Sequence, residues 1–377
     1  MMNNDVFGLI YAGEQNMNLI ELVSKRAVGA LPIGGRYRAI DFIISNMVNS
    51  GIRNVGVIAQ KNYHSLMDHL GSGKEWDLNR KNDGLFILPP FDTQENLGSY
   101  RGLCDAIKNS MNYIRRTSQQ YCLLTGSYTI YNMTYDDAFK FHLDKNADIT
   151  VIYNTDKGAM DSDRFKEMRI YMDDDQRVQD MEFDSMLPSA ATESIGMDAY
   201  LIRKDLLEYL VEDAIARGKY NFVADVLIPN LKRLKIYGYH HEGYVGRLTS
   251  VATYFKLNKD MLDPDVQRQL FHTGHPVYTK IKDEVPAKYG EAAVVKNSLI
   301  ANGCVIEGTV ENSVLFRSVY VGKGTTIRNS IVMQDSQVYQ NCWLEDAILD
   351  KKVQVRSGRR LIGSESYPVI IKKGAIV

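Results

Sequence analysis

The sequence lacks the features that mark membrane, secreted or nucleic-acid-binding proteins. Its 377 residues contain no apolar run of the roughly 18 residues that a membrane span needs. The opening MMNNDVFGLIYAG has no basic stretch ahead of a long apolar core, so no signal peptide is predicted. Lys plus Arg number 45 and Asp plus Glu 46, which leaves no overall positive field. We therefore expect a cytoplasmic protein whose partners include neither nucleic acid nor a membrane.

Cysteine is scarce, and its spacing does not suggest a metal site. The four cysteines, at positions 104, 122, 304 and 342, lie far apart without a CxxC pair. This spacing favours reduced, buried thiols over zinc ligands or disulfides. The acidic run at residues 173–175 joins two strand-like segments and is interpreted as a solvated turn rather than a metal site. His240-His241 has no partner at ligand spacing. No metal site is predicted.

The first half of the chain alternates short apolar runs with helical-period segments. VFGLIYA, NVGVIAQ and YCLLTG are predicted strands, whereas AIDFIISNMVNS and LCDAIKNSMNYI are each predicted to form one helix. This alternation favours a mostly parallel, doubly wound α/β sheet with helices on both faces. Ligands bind such sheets beyond the carboxyl ends of the strands, here Gly13-Glu14 and Gly126-Ser127.

The last part of the chain repeats with a different period. Near-copies of NSLI begin at Asn297, Asn312, Asn329 and Asp346, and apolar residues recur every six positions inside them. Three hexads per copy predict one coil of a triangular parallel β-helix. Residues 249–289 are predicted to form one helix and an extended linker. The predicted domains are an α/β domain (1–245), a helix and linker (246–290) and a β-helix (291–377).

Several blocks of sequence occur in a family-specific order. They are KRAVGALPIGGRYRAIDFIISNMVNSGI, YRG, SIGMDAYLI, LIP and the terminal hexads. Together they resemble the glucose-1-phosphate adenylyltransferase family, most closely its shorter, GlgD-type subunit, which pairs with a catalytic homologue. The resemblance implies a Rossmann-like nucleotidyltransferase sheet followed by a left-handed parallel β-helix of hexapeptide repeats. Active members convert ATP and glucose 1-phosphate to ADP-glucose and pyrophosphate, with Mg²⁺ held by two aspartates.

Five parts of the catalytic machinery that the resemblance implies are altered here. The glycine-rich loop with its arginine reads GEQNMNL from Gly13, so Glu14 stands where phosphate would lie. The expected lysine is Val28, and the segment aligned with the Glu-Lys pair reads EFDS at residues 182–185. The two metal aspartates are replaced by Ser127 and Gly246. The resemblance therefore implies that this chain holds no metal and that Mg²⁺ is bound at the catalytic partner.

The positions of a vestigial nucleotide or sugar-phosphate pocket follow from the same alignment. They are Gly13, Glu14, Gln60, Tyr100, Arg101, Gly102, Gly126, Ser127 and Gly246. The Tyr100-Arg101-Gly102 segment opens the helix that follows, a geometry suited to an anion. The alternative is that these residues only pack.

Two basic groups are candidate contacts for an effector. In the family, a basic residue at the place of Arg36 helps to bind phosphorylated activators between the two domains, and guanidinium groups suit phosphate. Arg36 and Arg38 form the first group, and Arg356, Arg359 and Arg360 in the last coils form a second group that could close the same pocket. The alternatives are ordinary ion pairs for the first group and a charged coil edge for the second.

The leading hypothesis is a non-catalytic regulatory subunit that forms a heterotetramer with an active homologue and responds to phosphorylated metabolites. The alternative is an active sugar-phosphate nucleotidyltransferase with a rearranged site. A hexad-coil acyltransferase would need a histidine base in the coils, and no histidine follows His275. A structural homo-oligomer remains open.

Overall fold

The computed structural model describes residues 5–13, 17–90, 99–156, 168–183, 193–271 and 274–377. An α/β domain is followed by helices, a linker and a triangular β-helix. None of the described helices is long and apolar enough to cross a membrane.

The strands of the α/β domain are short and mostly buried. They are β1 (Val6–Ala12), β2 (Pro32–Ile33), β3 (Tyr37–Arg38), β4 (Asn54–Ala59), β5 (Gly84–Leu88), β6 (Tyr121–Gly126), β7 (Thr129–Ile130), β8 (Ile149–Asp156), β9 (Met168–Met172), β10 (Val178–Phe183), β11 (Glu193–Arg203), β12 (Ile236–His240) and β13 (Gly246–Arg247).

The α-helices pack around these strands and extend into the linker. They are α1 (Ile20–Val23), α2 (Ala39–Asn49), α3 (His64–Leu70), α4 (Leu103–Asn109), α5 (Met111–Arg116), α6 (Asp136–Asp144), α7 (Lys204–Ala216), α8 (Ile228–Asn230), α9 (Val251–Asp260) and α10 (Pro264–Leu270). A π-helical stretch, Phe222–Leu227, precedes α8.

The main sheet confirms the predicted α/β core. Strands β5, β4, β1 and β6 lie side by side and parallel, and β11 joins β6 antiparallel. β8 and β12 extend the sheet beyond β11, which also contacts β9. The near-continuous apolar sequence of β1 suits a strand that is covered on both faces. Because β1 and β6 are parallel neighbours, Gly13 and Ser127 follow them at the same edge of the sheet.

Local structure departs from the sequence prediction at two helices. The predicted helix LCDAIKNSMNYI divides into α4 and α5 at Ser110, whose hydroxyl bonds back to the Ala106 carbonyl oxygen at 3.0 Å. The predicted linker contains α10. Asp263 caps this helix and Pro264 is its first residue, and this pair of helix-start residues is visible in the sequence. The acidic turn is confirmed, because Asp173 accepts backbone N–H bonds from Asp175 and Arg177.

The β-helix consists of three parallel sheets of five short strands in the described residues. Its strands are β14 (Lys288–Tyr289), β15 (Val294–Lys296), β16 (Leu299–Ile300), β17 (Val305–Ile306), β18 (Thr309–Glu311), β19 (Val314–Leu315), β20 (Tyr320–Val321), β21 (Thr326–Arg328), β22 (Ile331–Val332), β23 (Gln337–Val338), β24 (Trp343–Glu345), β25 (Ala347–Leu349), β26 (Gln354–Val355), β27 (Arg360–Ile362) and β28 (Val369–Ile371).

The hexad residues point inward as predicted. Ile306, Val321, Val338 and Val355 stack from one sheet into a common apolar core with the hexad residues of the other two sheets. At the corners, the first residue of each near-copy has a left-handed backbone, with φ of 41–48° for Asn297, Asn312, Asn329 and Asp346. Asn and Asp tolerate this conformation better than other non-glycine residues, which explains the repeat.

One side of the β-helix packs against the α/β domain. Val314, Ile331 and Ile348 lie in a buried cluster with Val28 and Phe255 of the preceding domain and helices. Beside this cluster, the guanidinium of Arg26 donates two hydrogen bonds to the Asp350 carboxylate, at 2.7 and 2.8 Å. The two domains therefore share a core and a buried ion pair. The predicted boundary at 245/246 lies immediately before β13, which pairs with β7.

Candidate functional site

The place of the expected catalytic lysine belongs to the hydrophobic core. Val28 is 1% exposed and packs in the interdomain cluster with Leu31, Phe42 and Leu257. A lysine here would have to bury its ammonium group among apolar side chains, which is costly without a partner. Val28 therefore contributes to the packing of the two domains.

The places of the two metal aspartates have also closed. Gly246 lies on β13, and a methyl group added there would overlap Cδ1 of the buried Leu257 on α9. Ser127 is fully buried, with its Cβ and Oγ 3.1 Å from the point where a side chain on Gly29 would begin. A carboxylate side chain at position 246 would displace Leu257, and one at position 127 would have to fit a fully buried position.

A carboxyl group does lie near Ser127, but it is poorly suited to Mg²⁺. Asp198 sits in a bulge of β11 with a left-handed backbone (φ 53°) and accepts hydrogen bonds from Tyr128 and Tyr200. Burial raises the pKa of Asp198 to about 6. Since Mg²⁺ needs several accessible oxygen ligands and this carboxyl group is already hydrogen-bonded to two tyrosines, the group is a weak candidate ligand.

The described residues do not fit the Mg²⁺ site that the sequence resemblance implies. Within them, no three His, Cys, Asp or Glu side chains cluster closely enough to hold a metal ion. Glu14 and residues 184–185 lie outside the described residues. At the two aligned positions stand a serine and a glycine. A serine hydroxyl alone cannot replace two carboxylates as ligands of a divalent ion.

Retained residues of the nucleotide side of the pocket bond to one another. The Gln60 amide fits best with its nitrogen donating to the Gly13 carbonyl oxygen at 2.6 Å and its oxygen accepting from the Tyr100 amide at 2.9 Å. Gln60 thereby ties the end of β1 to the segment before α4.

The expected anion site at Tyr100-Arg101-Gly102 is occupied by protein groups. The Arg101 guanidinium pairs with Asp105 at 3.2 Å and lies over the ring of Tyr220, 4.0 Å from its centroid. The Arg101 amide donates to Asp105, and the Cys104 amide donates to the Tyr220 carbonyl oxygen. Gly102 lies against that same oxygen, so a side chain there would overlap it. These contacts favour the packing alternative over anion binding.

A basic cleft lies between the two domains. We call it the basic cleft, and its cationic lining residues are Arg36, Arg38, Lys280, Lys282, Arg317 and Lys351. Arg36 and Arg38 come from the α/β domain, whereas Arg317 and Lys351 come from corners of the β-helix. Gly34 and Gly35, with φ of 57° and 82°, form the turn that presents Arg36.

The cations of the basic cleft are largely uncompensated. In the described part of the chain, Arg36, Lys282, Arg317 and Lys351 form no ion pair, and Lys280 lies 3.5 Å from Asp68. Burial, followed by the repulsion of Arg36, lowers the pKa of Arg317. Burial also lowers the pKa of Arg38. Converging cations that repel one another form a preorganised site for a phosphoryl or similar anion.

The wall of the basic cleft is held by a buried acid–histidine pair. Asp41 accepts the Arg38 amide at 2.9 Å and lies 2.5 Å from His69 Nε2. Arg38 also donates to the Ser65 carbonyl oxygen on α3. Burial lowers the pKa of His69 despite the contact with Asp41. These bonds fix Arg38 and His69 against the same side of the cleft.

The second predicted basic group lies elsewhere. Arg356, Arg359 and Arg360 are not among the residues that line the basic cleft. Arg360 lies over the Trp343 ring, 6.0 Å from its centroid, on the sheet that includes β24 and β27. The prediction that these arginines close the pocket is therefore not supported, because the coil register turns them away and brings Arg317 and Lys351 to it instead.

Sequence reasoning missed Lys280, Lys282, Arg317 and Lys351. Lys280 and Lys282 alternate along the extended linker, a weak signal that both side chains share one face. Arg317 and Lys351 stand at β-helix corners in ordinary polar surroundings, and nothing in their local sequence distinguishes them from surface charges.

Removing one unpaired guanidinium should weaken anion binding. We expect Arg317→Gln to weaken sulfate binding about tenfold or more, since a hydrogen bond to a charged group contributes about 1.5–3 kcal/mol. Titration calorimetry measures the change. Arg359→Gln, the same substitution on an exposed coil residue outside the basic cleft, should leave the affinity unchanged. Equal losses in both variants would contradict this site.

Comparison with known proteins adds two family matches. A nucleotidyl transferase model matches residues 7–244, and a GlmU-like, C-terminal hexapeptide model matches residues 283–367. The chain is 39% identical to the glycogen biosynthesis protein GlgD of Geobacillus stearothermophilus and 35% identical to that of Bacillus subtilis, covering 100% of this chain and 98% of each relative. It is 36% identical to a glucose-1-phosphate adenylyltransferase of Clostridium botulinum, over 88% of this chain and 85% of the relative.

Proposed function

Because this chain belongs to the glucose-1-phosphate adenylyltransferase family, which includes GlgD relatives that match its full length, we propose that it is a regulatory, catalytically impaired subunit acting in glycogen biosynthesis. The supporting observation is the closed catalytic centre. Val28 lies in the core, Leu257 fills the space beside Gly246, and Ser127 is fully buried.

The energetic consequence is large. A single well-placed arginine contributes roughly 10³- to 10⁵-fold to phosphoryl transfer, and Mg²⁺ neutralises charge in the same transition state. A site without the loop arginine, the lysine and both metal carboxylates loses several such contributions at once. We propose that the reaction takes place on a catalytic homologous subunit, which binds the Mg²⁺, and that the two kinds of subunit form a heterotetramer.

The basic cleft supports a role in regulation. Its uncompensated cations are suited to a phosphorylated metabolite, and they come from both domains. A bound anion would therefore bridge the α/β domain and the β-helix and stabilise one arrangement of the two. We propose that this arrangement is transmitted to the catalytic partner through subunit contacts.

An activity assay with ATP, Mg²⁺ and glucose 1-phosphate tests the proposal. We expect the purified chain to turn over at least about 10³-fold more slowly than the catalytic homologue from the same organism. Adding the chain to that homologue should yield a mixed tetramer whose rate or effector response differs from that of the homologue alone. Rapid ADP-glucose formation by the isolated chain would instead support an active transferase with a rearranged site.

A further inference from the structure

Lys351 occupies an unusual position in the basic cleft. It stands at a β-helix corner between β25 and β26, and its side chain is partly buried. Its amide donates to Asp350 Oδ1 at 2.6 Å, and its carbonyl oxygen accepts the Gly374 amide at 2.9 Å. These two bonds fix the backbone of the corner from which the amine extends.

The carboxylate nearest in sequence is not available to neutralise this amine. Both oxygens of Asp350 accept hydrogen bonds from Arg26 Nη2, in a pair whose side chains are only 4% and 5% exposed. Lys351 forms no ion pair in the described part of the chain. Asp350 therefore shares its charge with Arg26, and its attraction raises the pKa of Lys351 by less than burial and the repulsion of Arg38 and Arg26 lower it.

The other charged groups around Lys351 are mostly cations. They are Arg26, Arg36 and Arg38 from the α/β domain, Lys280 and Lys282 from the linker, Arg317 from the β-helix, and Asp68, His69 and Asp350. Burial, reinforced by the repulsion of Arg38 and Arg26, lowers the pKa of Lys351 from its ordinary value of 10.5 to about 7. In the empty cleft, a large share of the molecules then carry a neutral amine at neutral pH.

We propose that Lys351 takes up a proton when the basic cleft binds a phosphoryl or sulfuryl dianion, so that the cleft binds such anions more tightly as pH falls. The amine lone pair of Lys351 accepts a proton from solvent, and the resulting ammonium group donates a hydrogen bond to an anion oxygen. This inference rests on the proposed effector role of the basic cleft. It adds that the response of the subunit to its effector depends on pH.

The stability of the free chain and the stability added by an anion depend on pH with opposite signs. Without an anion, the folded chain binds fewer protons at Lys351 than the unfolded chain does between pH of about 7 and 10.5. The contribution of Lys351 to the free energy of unfolding therefore rises with pH across this window. With an anion bound, the ammonium group is stabilised, and the additional stability that the anion confers falls as pH rises through the same window.

Sulfate is a suitable probe because it stays doubly charged throughout the relevant range. We would titrate the full chain with sulfate by calorimetry from about pH 6 to about pH 9, in buffers of different ionisation enthalpy, which counts the protons taken up. We expect affinity to fall up to about tenfold per pH unit above the pKa of Lys351, with uptake approaching one proton per sulfate.

Three variants test whether Lys351 is the group that takes up the proton. Lys351→Arg keeps the charge but does not titrate, so it should bind sulfate without proton uptake and with little dependence on pH. Lys351→Met should bind weakly at every pH, also without uptake. Lys323→Arg, the same change at an exposed coil lysine outside the cleft, should behave like the unaltered chain. Thermal unfolding of each variant verifies that it is folded.

The outcomes separate this inference from the function on which it rests. If sulfate binds with an affinity that does not vary with pH, or if Lys351→Arg retains the proton uptake, the inference is wrong while the effector site stands. The second result would assign the proton to another group, such as His69. If no sulfate binds at any pH, both the inference and the effector role of the basic cleft are overturned.

Discussion

Replacing Arg26 with alanine is expected to lower the free energy of unfolding by about 3–5 kcal/mol. The substitution leaves the Asp350 carboxylate, only 5% exposed, without its cation in the interface between the two domains. A buried, unpaired charge is costly because no water replaces the lost partner. Urea denaturation measures the change, and tryptophan fluorescence reports on both domains, because Trp76 lies in the α/β domain and Trp343 in the β-helix.

An exposed ion pair provides the matched control. Arg115 is 50% exposed and pairs with Glu208 and Glu212, so Arg115→Ala should cost no more than about 1 kcal/mol. The double variant Arg26→Met with Asp350→Leu should recover much of the lost stability, since it removes both charges together. A loss for Arg26→Ala no larger than that for Arg115→Ala would contradict the structural role of the pair.

Restoring the two metal aspartates should destabilise the chain without restoring activity. Ser127→Asp together with Gly246→Asp is expected to lower the free energy of unfolding by about 3 kcal/mol or more, because overpacking costs about 1–3 kcal/mol per site and each change buries a new carboxyl group. Turnover should stay near that of the unaltered chain, since the loop arginine and the lysine are still missing. Denaturation and the ADP-glucose assay measure the two effects.

Alanine substitutions separate the steric part of this loss from the charge. Gly246→Ala should destabilise by about 1–3 kcal/mol, because the new methyl group overlaps the buried Leu257. Gly290→Ala, where a methyl group meets Glu307 at an ordinary 3.5 Å, should change stability by no more than about 0.5 kcal/mol. If Gly246→Ala is as neutral as Gly290→Ala and the restored aspartates support turnover, the closed-site interpretation fails.

Much of the fold was predictable because its signals are local. An apolar residue every six positions fits one side of a triangular coil, and the structure places Ile306, Val321 and Val338 inside as expected. The α/β alternation was equally readable in β1, β4 and β6. The break at Ser110 could not be predicted, because a helical apolar stripe continues across it. The hydrogen bond from the Ser110 hydroxyl to the backbone accompanies the break.

The proposed replacement of catalytic residues was also predicted from the sequence, since the identity of a side chain at an aligned position needs no coordinates. Val28, Ser127 and Gly246 lack the charges that the chemistry requires wherever they lie. Only the tertiary structure decided that these positions are buried, because their neighbours, such as Leu257 beside Gly246, come from elsewhere in the chain.

The basic cleft was likewise decided by tertiary structure alone. Arg36, Lys282, Arg317 and Lys351 are far apart in sequence, and each by itself resembles an ordinary solvated charge. The coil register turns Arg317 and Lys351 toward the α/β domain and leaves Arg360 on Trp343. Charge density, unlike apolar periodicity, depends on which distant residues the fold brings within a few ångströms of one another, so no local pattern could have located the cleft.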